Sequence, residues 1–201
     1  IRPQVISISG DIIIGRDCMR WLLMIMALML GGVVSQPLKA EALGDAIRAI
    51  DANVVFMRHA LAPGYGDPDD FDIRDCSTQR NLDDEGRDQA RNIGRHLRNN
   101  KIRFDAILSS QWCRCRDTAI EMGIGDWSEF AGLNSFFEGH VDRGETLRLL
   151  KSKLAQINPG ERVLMVTHQV VIQAATGISP RSGGMVVHNT RTGASLRVQL
   201  D

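Results

Sequence analysis

Short runs of mainly apolar residues alternate with amphipathic stretches along this chain, and this alternation constrains its fold more than any other feature. The runs cover residues 53–57, 106–110 and 162–167. Uninterrupted apolar runs of this length are typical of strands buried on both faces of a parallel sheet. Strands that alternate with helices predict an α/β fold with three layers, in which helices cover both faces of a mostly parallel sheet.

Two of the intervening stretches have the spacing of amphipathic helices. The first covers residues 81–100, where Asp83 and Asp84 suit a helix N-terminus because they can cap it and complement its dipole. The second covers residues 145–157 and is stopped by Pro159. We expect both apolar faces to pack against the sheet.

The remaining segments predict a hairpin and a long loop. Residues 184–189 and 194–200 flank a turn, which indicates a C-terminal antiparallel hairpin at an edge of the sheet. Residues 61–81 are rich in Gly and Pro and poor in apolar residues, so they predict a loop directly after the first strand. Long loops in compact domains usually carry function.

The start of the chain is predicted to be a targeting sequence. Residues 19–40 read as a secretory signal peptide, with a basic start, an apolar run over 21–34 and a small residue, Ala40, at the expected cleavage point. Residues 1–18 are then upstream sequence or a misassigned start, and residues 41–201 form the domain. We expect a periplasmic or secreted protein without stable membrane insertion after cleavage. The alternatives are a membrane anchor formed by 21–34 or a buried N-terminal helix.

The charge balance excludes one class of partner. The chain has 24 Lys and Arg against 24 Asp and Glu. A non-specific nucleic-acid binder needs a basic surplus to neutralise phosphates, so no nucleic-acid partner is expected.

Export would favour a disulfide, and three cysteines follow the predicted signal: Cys76, Cys113 and Cys115. If the last two lie on a helix, they point about 200° apart, so only one of them can face Cys76. We favour a bond between Cys76 and Cys113. A bond to Cys115, or three reduced thiols in a protein that is not exported, stays open. The cysteines lack the paired spacing of a zinc site, and no metal or cofactor is predicted.

Residues suited to phosphate chemistry follow the three predicted strands. Arg58 and His59 follow the first, Arg114 comes shortly after the second, and His168 follows the third. In an open α/β sheet the carboxyl ends of the strands meet at one edge, where ligands bind. A neutral imidazole can attack phosphorus, and guanidinium groups pair with phosphoryl oxygens. The pattern therefore predicts a phosphate-handling site.

Four blocks of sequence resemble the histidine phosphatase superfamily, whose fold is that of phosphoglycerate mutases. They are VVFMRHALAPG, NLDDEGRDQA, SSQWCRCRDTA and VLMVTHQVVIQAATG, and together they span about residues 53–177. Within that superfamily the chain resembles the small single-domain branch that includes phosphohistidine phosphatases. The resemblance implies that His59 is the nucleophile and that Arg58, Arg114 and His168 bind the phosphoryl group. Ala60 and Gln169 stand where the family usually has glycine.

The resemblance also implies a general acid from the loop after the second helix. That region offers Glu129, Glu138 and Asp142, and we favour Glu138. The segment departs from the mutase pattern, so a site without a dedicated acid is the alternative. Such an enzyme would favour good leaving groups, among them phosphohistidine and phosphoanhydrides.

We therefore expect a metal-independent phosphatase that hydrolyses a phosphomonoester or phosphoramidate through a phosphohistidine on His59. Its partner would be a small phosphorylated substrate or a phosphoprotein. One alternative is a phosphoanion-binding module of the same fold that is catalytically weak. Others are a cytosolic phosphohistidine-protein phosphatase and, ranked last, a mutase.

Overall fold

A computed structural model of the chain describes residues 39–198 and Leu200. The predicted signal peptide lies outside these residues except for its last two positions, and residues 1–18 lie outside them entirely. Export and the position of the start therefore stay predictions. The first described helix begins at Lys39, so cleavage after Ala40 would fall within its first turn.

Six strands form one mixed sheet at the centre of the described residues, in the order β3-β2-β4-β1-β5-β6. The first four strands in this order run parallel, while β5 pairs antiparallel with both β1 and β6. The bounds are β1 Val54–Arg58, β2 Ala106–Ser109, β3 Ser128–Glu129, β4 Val163–Thr167, β5 Met185–His188 and β6 Ser195–Val198. The mostly parallel sheet and the C-terminal edge hairpin are confirmed.

Five α-helices accompany the sheet in the described part of the chain: α1 Lys39–Ala49, α2 Asp84–Asn99, α3 Cys113–Met122, α4 Arg143–Ala155 and α5 Gln169–Thr176. Asp83 caps α2 by accepting a hydrogen bond from the Gly86 N–H at 2.8 Å, as its sequence position suggests. Asp142 caps α4 in the same way, accepting from the Glu145 N–H. None of the described helices is both long and apolar enough to cross a membrane.

Successive strand residues enter two separate cores, which explains why the apolar runs are uninterrupted. In β1, Val55 and Met57 pack with α1, α2 and α3 on one face, while Val54 and Phe56 pack with α4 and α5 on the other. Side chains of a strand alternate between faces, so a strand covered on both sides needs apolar residues at every position. Full burial of each such side chain contributes about 1.5–3 kcal/mol. Both faces carry helices, which confirms the three layers.

Four helices and strands were not predicted from the sequence. One is α3, since a helix at Cys113 and Cys115 was only a supposition. The strand β3 has two residues, too few to show a period. The helix α5 covers only eight residues, QVVIQAAT, and begins one residue after β4, which is too short a segment to show a clear helical period. The helix α1 begins where the sequence suggested the end of the signal.

The α2–α3 contact depends on a glycine. A Cβ added at Gly94 would lie 1.9 Å from the carbonyl oxygen of Met122, so the helix backbones approach too closely for any side chain. In α1, a Cβ added at Gly44 would meet only the flexible end of the Arg48 side chain, at 3.3 Å.

We predict that Gly94→Ala lowers the free energy of unfolding by about 2 kcal/mol, because the overpacked helices must separate. Helix propensity alone would raise the free energy of unfolding of the variant by about 1 kcal/mol. A decrease would therefore show that the close contact between α2 and α3 outweighs propensity. Gly44→Ala is the matched control and should be neutral or stabilising. Denaturant midpoints measure both, and equal shifts for the two variants would contradict the prediction.

Candidate active site

Two histidines meet at the carboxyl edge of the sheet because β1 and β4 are parallel neighbours. Arg58 pairs with Thr167 in the register, so His59 and His168, which follow them, stand at equivalent positions. The His59 N–H donates to the Thr167 carbonyl at 2.9 Å. The two ring centroids are 5.4 Å apart, with 64° between the ring planes.

The hydrogen bond of His59 determines which of its nitrogens is free. Its Nδ1 lies 2.7 Å from the Ala60 carbonyl oxygen. A carbonyl oxygen only accepts, so Nδ1 carries the proton, and in the neutral ring the lone pair is on Nε2. Burial, followed by the nearby Arg114 charge, lowers the pKa of His59 well below its usual value. The imidazole is therefore neutral at pH 7.

His168 has the opposite tautomer. Its Nε2 lies 3.0 Å from the Ser110 hydroxyl, whose single proton goes to Asn134 Oδ1 at 3.1 Å. The hydroxyl therefore accepts from the His168 Nε2–H. Burial and the Arg114 charge also lower the pKa of His168 well below its usual value. In the neutral ring, Nδ1 is then the unprotonated nitrogen.

Arg114 is held by a buried carboxylate. Its Nη1 and Nη2 donate to the two oxygens of Asp67 at 2.7 and 3.1 Å, and both side chains are only 4% exposed. Asp67 also accepts from the Arg80 N–H and the Trp112 Nε1–H. Burial alone would raise the pKa of Asp67, but its hydrogen bonds and the Arg114 charge lower it below the usual value.

Two donors near the histidines have no partner. The Nε atoms of Arg58 and Arg114 are buried and make no hydrogen bond within the described part of the chain. The Nη1 of Arg58, by contrast, donates to Gln169 Oε1 at 3.1 Å and to the Pro180 carbonyl. A buried donor without a partner costs about 1–3 kcal/mol. Two such donors on cationic side chains are suited to bind an anion.

These side chains share one cavity of about 320 Å³. Its walls are Arg58, His59, Gly64, Tyr65, Gly66, Arg80, Arg114, Ser135, Phe137, His168, Gln169 and Val170. The structure therefore brings together the four predicted phosphate-handling residues. No acidic side chain is among the described residues of this wall. A larger cavity of about 830 Å³ shares Arg58, but neither His59 nor His168 lines it.

The three candidate acids make other contacts. Glu138 accepts a hydrogen bond from the Asp67 N–H at 2.9 Å and does not line the cavity. Asp142 caps α4, and Glu129 pairs with Arg116 at 3.3 Å. The structure thus brings none of the three to the cavity wall.

Asp67, Glu138 and His140 place potential metal ligands within 4.8 Å of one another. The Asp67 carboxylate, however, is already neutralised by Arg114. This cluster therefore supports no metal assignment.

Arg80 and Asp67 belong to the site but were not predicted from the sequence. Arg80 lines the cavity, and its guanidinium group donates to the carbonyls of Ala62 and Gly66. Burial and the Arg114 charge lower its pKa. Two features of the sequence could have directed attention to these residues: the length of the loop after β1 and the presence of Cys76 within that loop.

The disulfide between Cys76 and Cys113 is confirmed, with 5.7 Å between the Cα atoms. It joins the loop to the first residue of α3, beside Arg114. Cys115 is the unpaired, buried cysteine, and burial raises the pKa of its thiol to about 12. As expected, a helix directs the side chains of Cys113 and Cys115 apart.

Burial lowers the pKa of His188, and the two buried histidines of the site add a larger loss of stability in acid. Their folded-state pKa values lie well below the usual 6.5, so below pH 6.5 the unfolded chain binds more protons than the folded one. The free energy of unfolding should therefore fall as pH drops from 6.5, by about 1.4 kcal/mol per pH unit for each histidine.

Chemical denaturation at pH 7.0, 6.0 and 5.5 measures this slope. His59→Gln should remove about half of the contribution of the pair, while His96→Gln, at an exposed position of α2, should leave the slope unchanged. An unchanged slope in His59→Gln would contradict the assignment of a neutral buried ring.

The Asp67–Arg114 pair generates a second prediction. Asp67→Asn should lower the free energy of unfolding by about 3 kcal/mol, because it leaves the buried guanidinium without its counterion. Asp70→Asn, at an exposed position of the same loop, is the control and should change it by less than about 0.5 kcal/mol. Urea denaturation at pH 7 compares them, and similar values for both would refute the role of the pair.

Comparison with known proteins adds a family to this geometry. Residues 54–125 match the model of the histidine phosphatase superfamily (branch 1). The matched segment contains Arg58, His59, Arg80 and Arg114. No curated protein matches the chain.

Solved structures share the fold. The protein histidine phosphatase SixA, in a complex with tungstate, aligns with a TM-score of 0.50 and 18% identity over 73% of this chain and 94% of its own. A protein of Agrobacterium tumefaciens assigned to SixA aligns with a TM-score of 0.50 and 22% identity over 74% and 96%. The product of an open reading frame of Mycobacterium tuberculosis aligns with a TM-score of 0.52 and 16% identity over 73% and 95%.

The family match carries the catalytic inference, since structural likeness at these identities shows the fold alone. The match to this superfamily supports the assignment of the chain as a phosphatase. Residues 54–125 thus resemble the histidine phosphatase superfamily, and the fold of the described residues agrees with that match.

Proposed function

We propose that this protein hydrolyses a phosphomonoester or a phosphoramidate through a phosphohistidine formed on Nε2 of His59. The observation that carries the proposal is the neutral, buried imidazole of His59, which lines one cavity with two arginines whose Nε–H donors have no partner. A nucleophile needs a free lone pair, and the hydrogen bond from Nδ1 to Ala60 leaves that lone pair on Nε2.

Arg58 and Arg114 bind the phosphoryl group in this proposal. Asp67 holds the Nη1–Nη2 side of the Arg114 guanidinium, which leaves its Nε–H for an oxygen of the substrate. Preorganised donors in a buried site stabilise the charge on the equatorial oxygens of the transferring group without reorganisation. Arg80 adds a third positive charge to the wall.

The reaction has two displacements. In the first, the Nε2 lone pair attacks phosphorus while the bond from phosphorus to the leaving atom breaks, and the leaving group departs with the bonding electrons. In the second, a water oxygen attacks phosphorus, the P–Nε2 bond breaks and its electrons return to Nε2. The water proton passes to solvent or to the departed group.

His168 changes protonation state in our proposal. In the neutral ring its Nδ1 is unprotonated, because Ser110 accepts from Nε2. A bound phosphoryl dianion favours the charged imidazole by Coulomb attraction and so raises its pKa. Protonated His168 then donates from Nδ1 to the phosphoryl group.

The absence of a carboxylate from the described wall of the cavity limits the leaving groups. Without an acid beside the leaving atom, a strongly basic alkoxide departs slowly. A phenolate released from an aryl phosphate is a weaker base, and so is the neutral imidazole released from phosphohistidine once its ring is protonated. Glu138 accepts from the Asp67 N–H through Oε2 and does not line the cavity.

A generic aryl phosphate tests the proposal. The purified protein should turn it over in the presence of a chelator, and His59→Ala should lower kcat at least 1000-fold because the nucleophile is lost. His96→Ala is the matched control and should keep parental activity. Rapid quenching with labelled substrate should trap an acid-labile, base-stable phosphoenzyme in the parent and none in His59→Ala. Parental turnover in His59→Ala would refute the proposal.

One observation favours a second function, a phosphoanion-binding module with weak catalysis: no described acidic side chain lines the cavity. This function predicts that phosphate and vanadate bind, while no labelled intermediate forms with any substrate. A trapped phosphoenzyme would exclude it.

We also propose that the protein acts in an oxidising compartment. The Cys76–Cys113 bond supports this, since such bonds persist outside the reducing cytosol. The apolar run over residues 21–34 agrees with export.

A further inference from the structure

Two exposed aromatic side chains stand at the wall of the active-site cavity. Four large hydrophobic residues are prominently exposed in the described part of the chain, and Tyr65 and Phe137 are two of them, at 86% and 37%. Both line the cavity that contains His59 and His168. Their ring centroids are 5.3 Å apart, and their planes meet at 88°. Exposed apolar groups gathered at a site indicate a surface for binding.

The surrounding backbone is built to bring these two rings together. Tyr65 lies between Gly64 and Gly66, whose φ angles are +92° and +70°. A Cβ at Gly66 would lie 2.2 Å from Glu138 Oε1, so only glycine allows this approach. The Asp67 N–H donates to Glu138 Oε2, which ties the loop to the residue that follows Phe137.

The size of the cavity leaves room for more than phosphate. A phosphoryl group occupies about the volume of three water molecules, or ~90 Å³ at the ~30 Å³ that each takes in the liquid. Most of the 320 Å³ is then available to the leaving group. This space suits a single ring and is at the lower limit of ligand pockets.

The chemistry of the cavity wall also favours a leaving group that contains one aromatic ring. The cationic groups and both histidines can bind the phosphoryl end, while Tyr65, Phe137 and Val170 offer apolar surface to the other end. An edge-to-face pair leaves ring faces free for a third ring. Without an acid in the wall, the enzyme needs a leaving group of low basicity, and a group bonded through an aromatic ring has it.

We propose that Tyr65 and Phe137 form a subsite for a planar aromatic leaving group, so that the substrates carry phosphate on a small aromatic ring. This inference rests on the proposed phosphatase function, because it assigns the phosphoryl group to the His59 end of the cavity. Tyr65 and Phe137 determine specificity and take no part in bond breaking.

Phosphonates test the subsite without turnover, so leaving-group basicity plays no part. Calorimetric titration of the purified protein should give a dissociation constant about fivefold to tenfold lower for phenylphosphonate than for methylphosphonate, as expected for one ring stack. In Tyr65→Ala and Phe137→Ala the ratio should fall below twofold. Tyr65→Phe should keep it, because the ring remains.

The controls separate folding from recognition. Methylphosphonate affinity should be parental in Tyr65→Ala, which shows that the anion site is intact. Ile120→Ala, which removes an exposed apolar side chain outside the cavity wall, should keep the parental ratio. A ratio near one in the parent, or a parental ratio in both alanine variants, would overturn the inference.

Inorganic phosphate distinguishes the two proposals. If the protein binds neither phosphate nor either phosphonate, the proposed function fails. If phosphate binds but the two phosphonates bind equally, only the aromatic subsite fails. Phosphotyrosine tests the size of the substrate. Because the cavity of about 320 Å³ holds one ring and little more, kcat/KM for a phosphotyrosine peptide should exceed that for free phosphotyrosine by less than threefold. A gain of tenfold or more would overturn the assignment to a small molecule.

Discussion

The buried ion pair between Arg114 and Asp67 is the interaction on which the candidate site depends. Three guanidinium groups, those of Arg58, Arg80 and Arg114, line a single cavity and repel one another, and burial adds to the cost of their charge. Asp67 provides the buried counterion. Its carboxylate accepts hydrogen bonds from both terminal nitrogens of Arg114, from the Trp112 indole N–H and from the Arg80 backbone N–H. Burial, followed by the positive charge of Arg114, lowers the pKa of His59 and of His168 and keeps both rings neutral, as the proposed nucleophile requires.

The loop after β1 is therefore a structural part of the site. It supplies Asp67 and Arg80, and the Arg80 guanidinium in turn binds two carbonyls of that loop, those of Ala62 and Gly66. Charge and backbone conformation are thus coupled, since the loop that carries the counterion Asp67 is itself held by the guanidinium group of Arg80. The Asp67–Glu138 contact extends this arrangement to the segment with Phe137.

Residues at strand ends could be predicted from the sequence because periodicity locates strands and parallel strands end at one edge. His59 and His168 follow from this rule without a resemblance. Helix geometry predicts that only one of Cys113 and Cys115 can face the loop, but it does not decide which, so the Cys76–Cys113 bond was the favoured one of two alternatives. Asp67 and Arg80 could not, since a loop has no period and its contacts depend on tertiary structure. Glu138 was favoured for its position in the chain, but its carboxylate is engaged by the Asp67 N–H rather than by the cavity. Tyr65 and Phe137 are far apart in the sequence, and only the fold reveals their contact.

The disulfide also affects when the anion site can form. Cys76 and Cys113 are separated by 37 positions, and closing a ring of that length removes about 4 kcal/mol of chain entropy from the unfolded state. A nascent or reduced chain must order the Asp67 loop around Arg114 without this help. Reduction of the Cys76–Cys113 bond would therefore lower the fraction of molecules in which the Asp67 loop is ordered around Arg114.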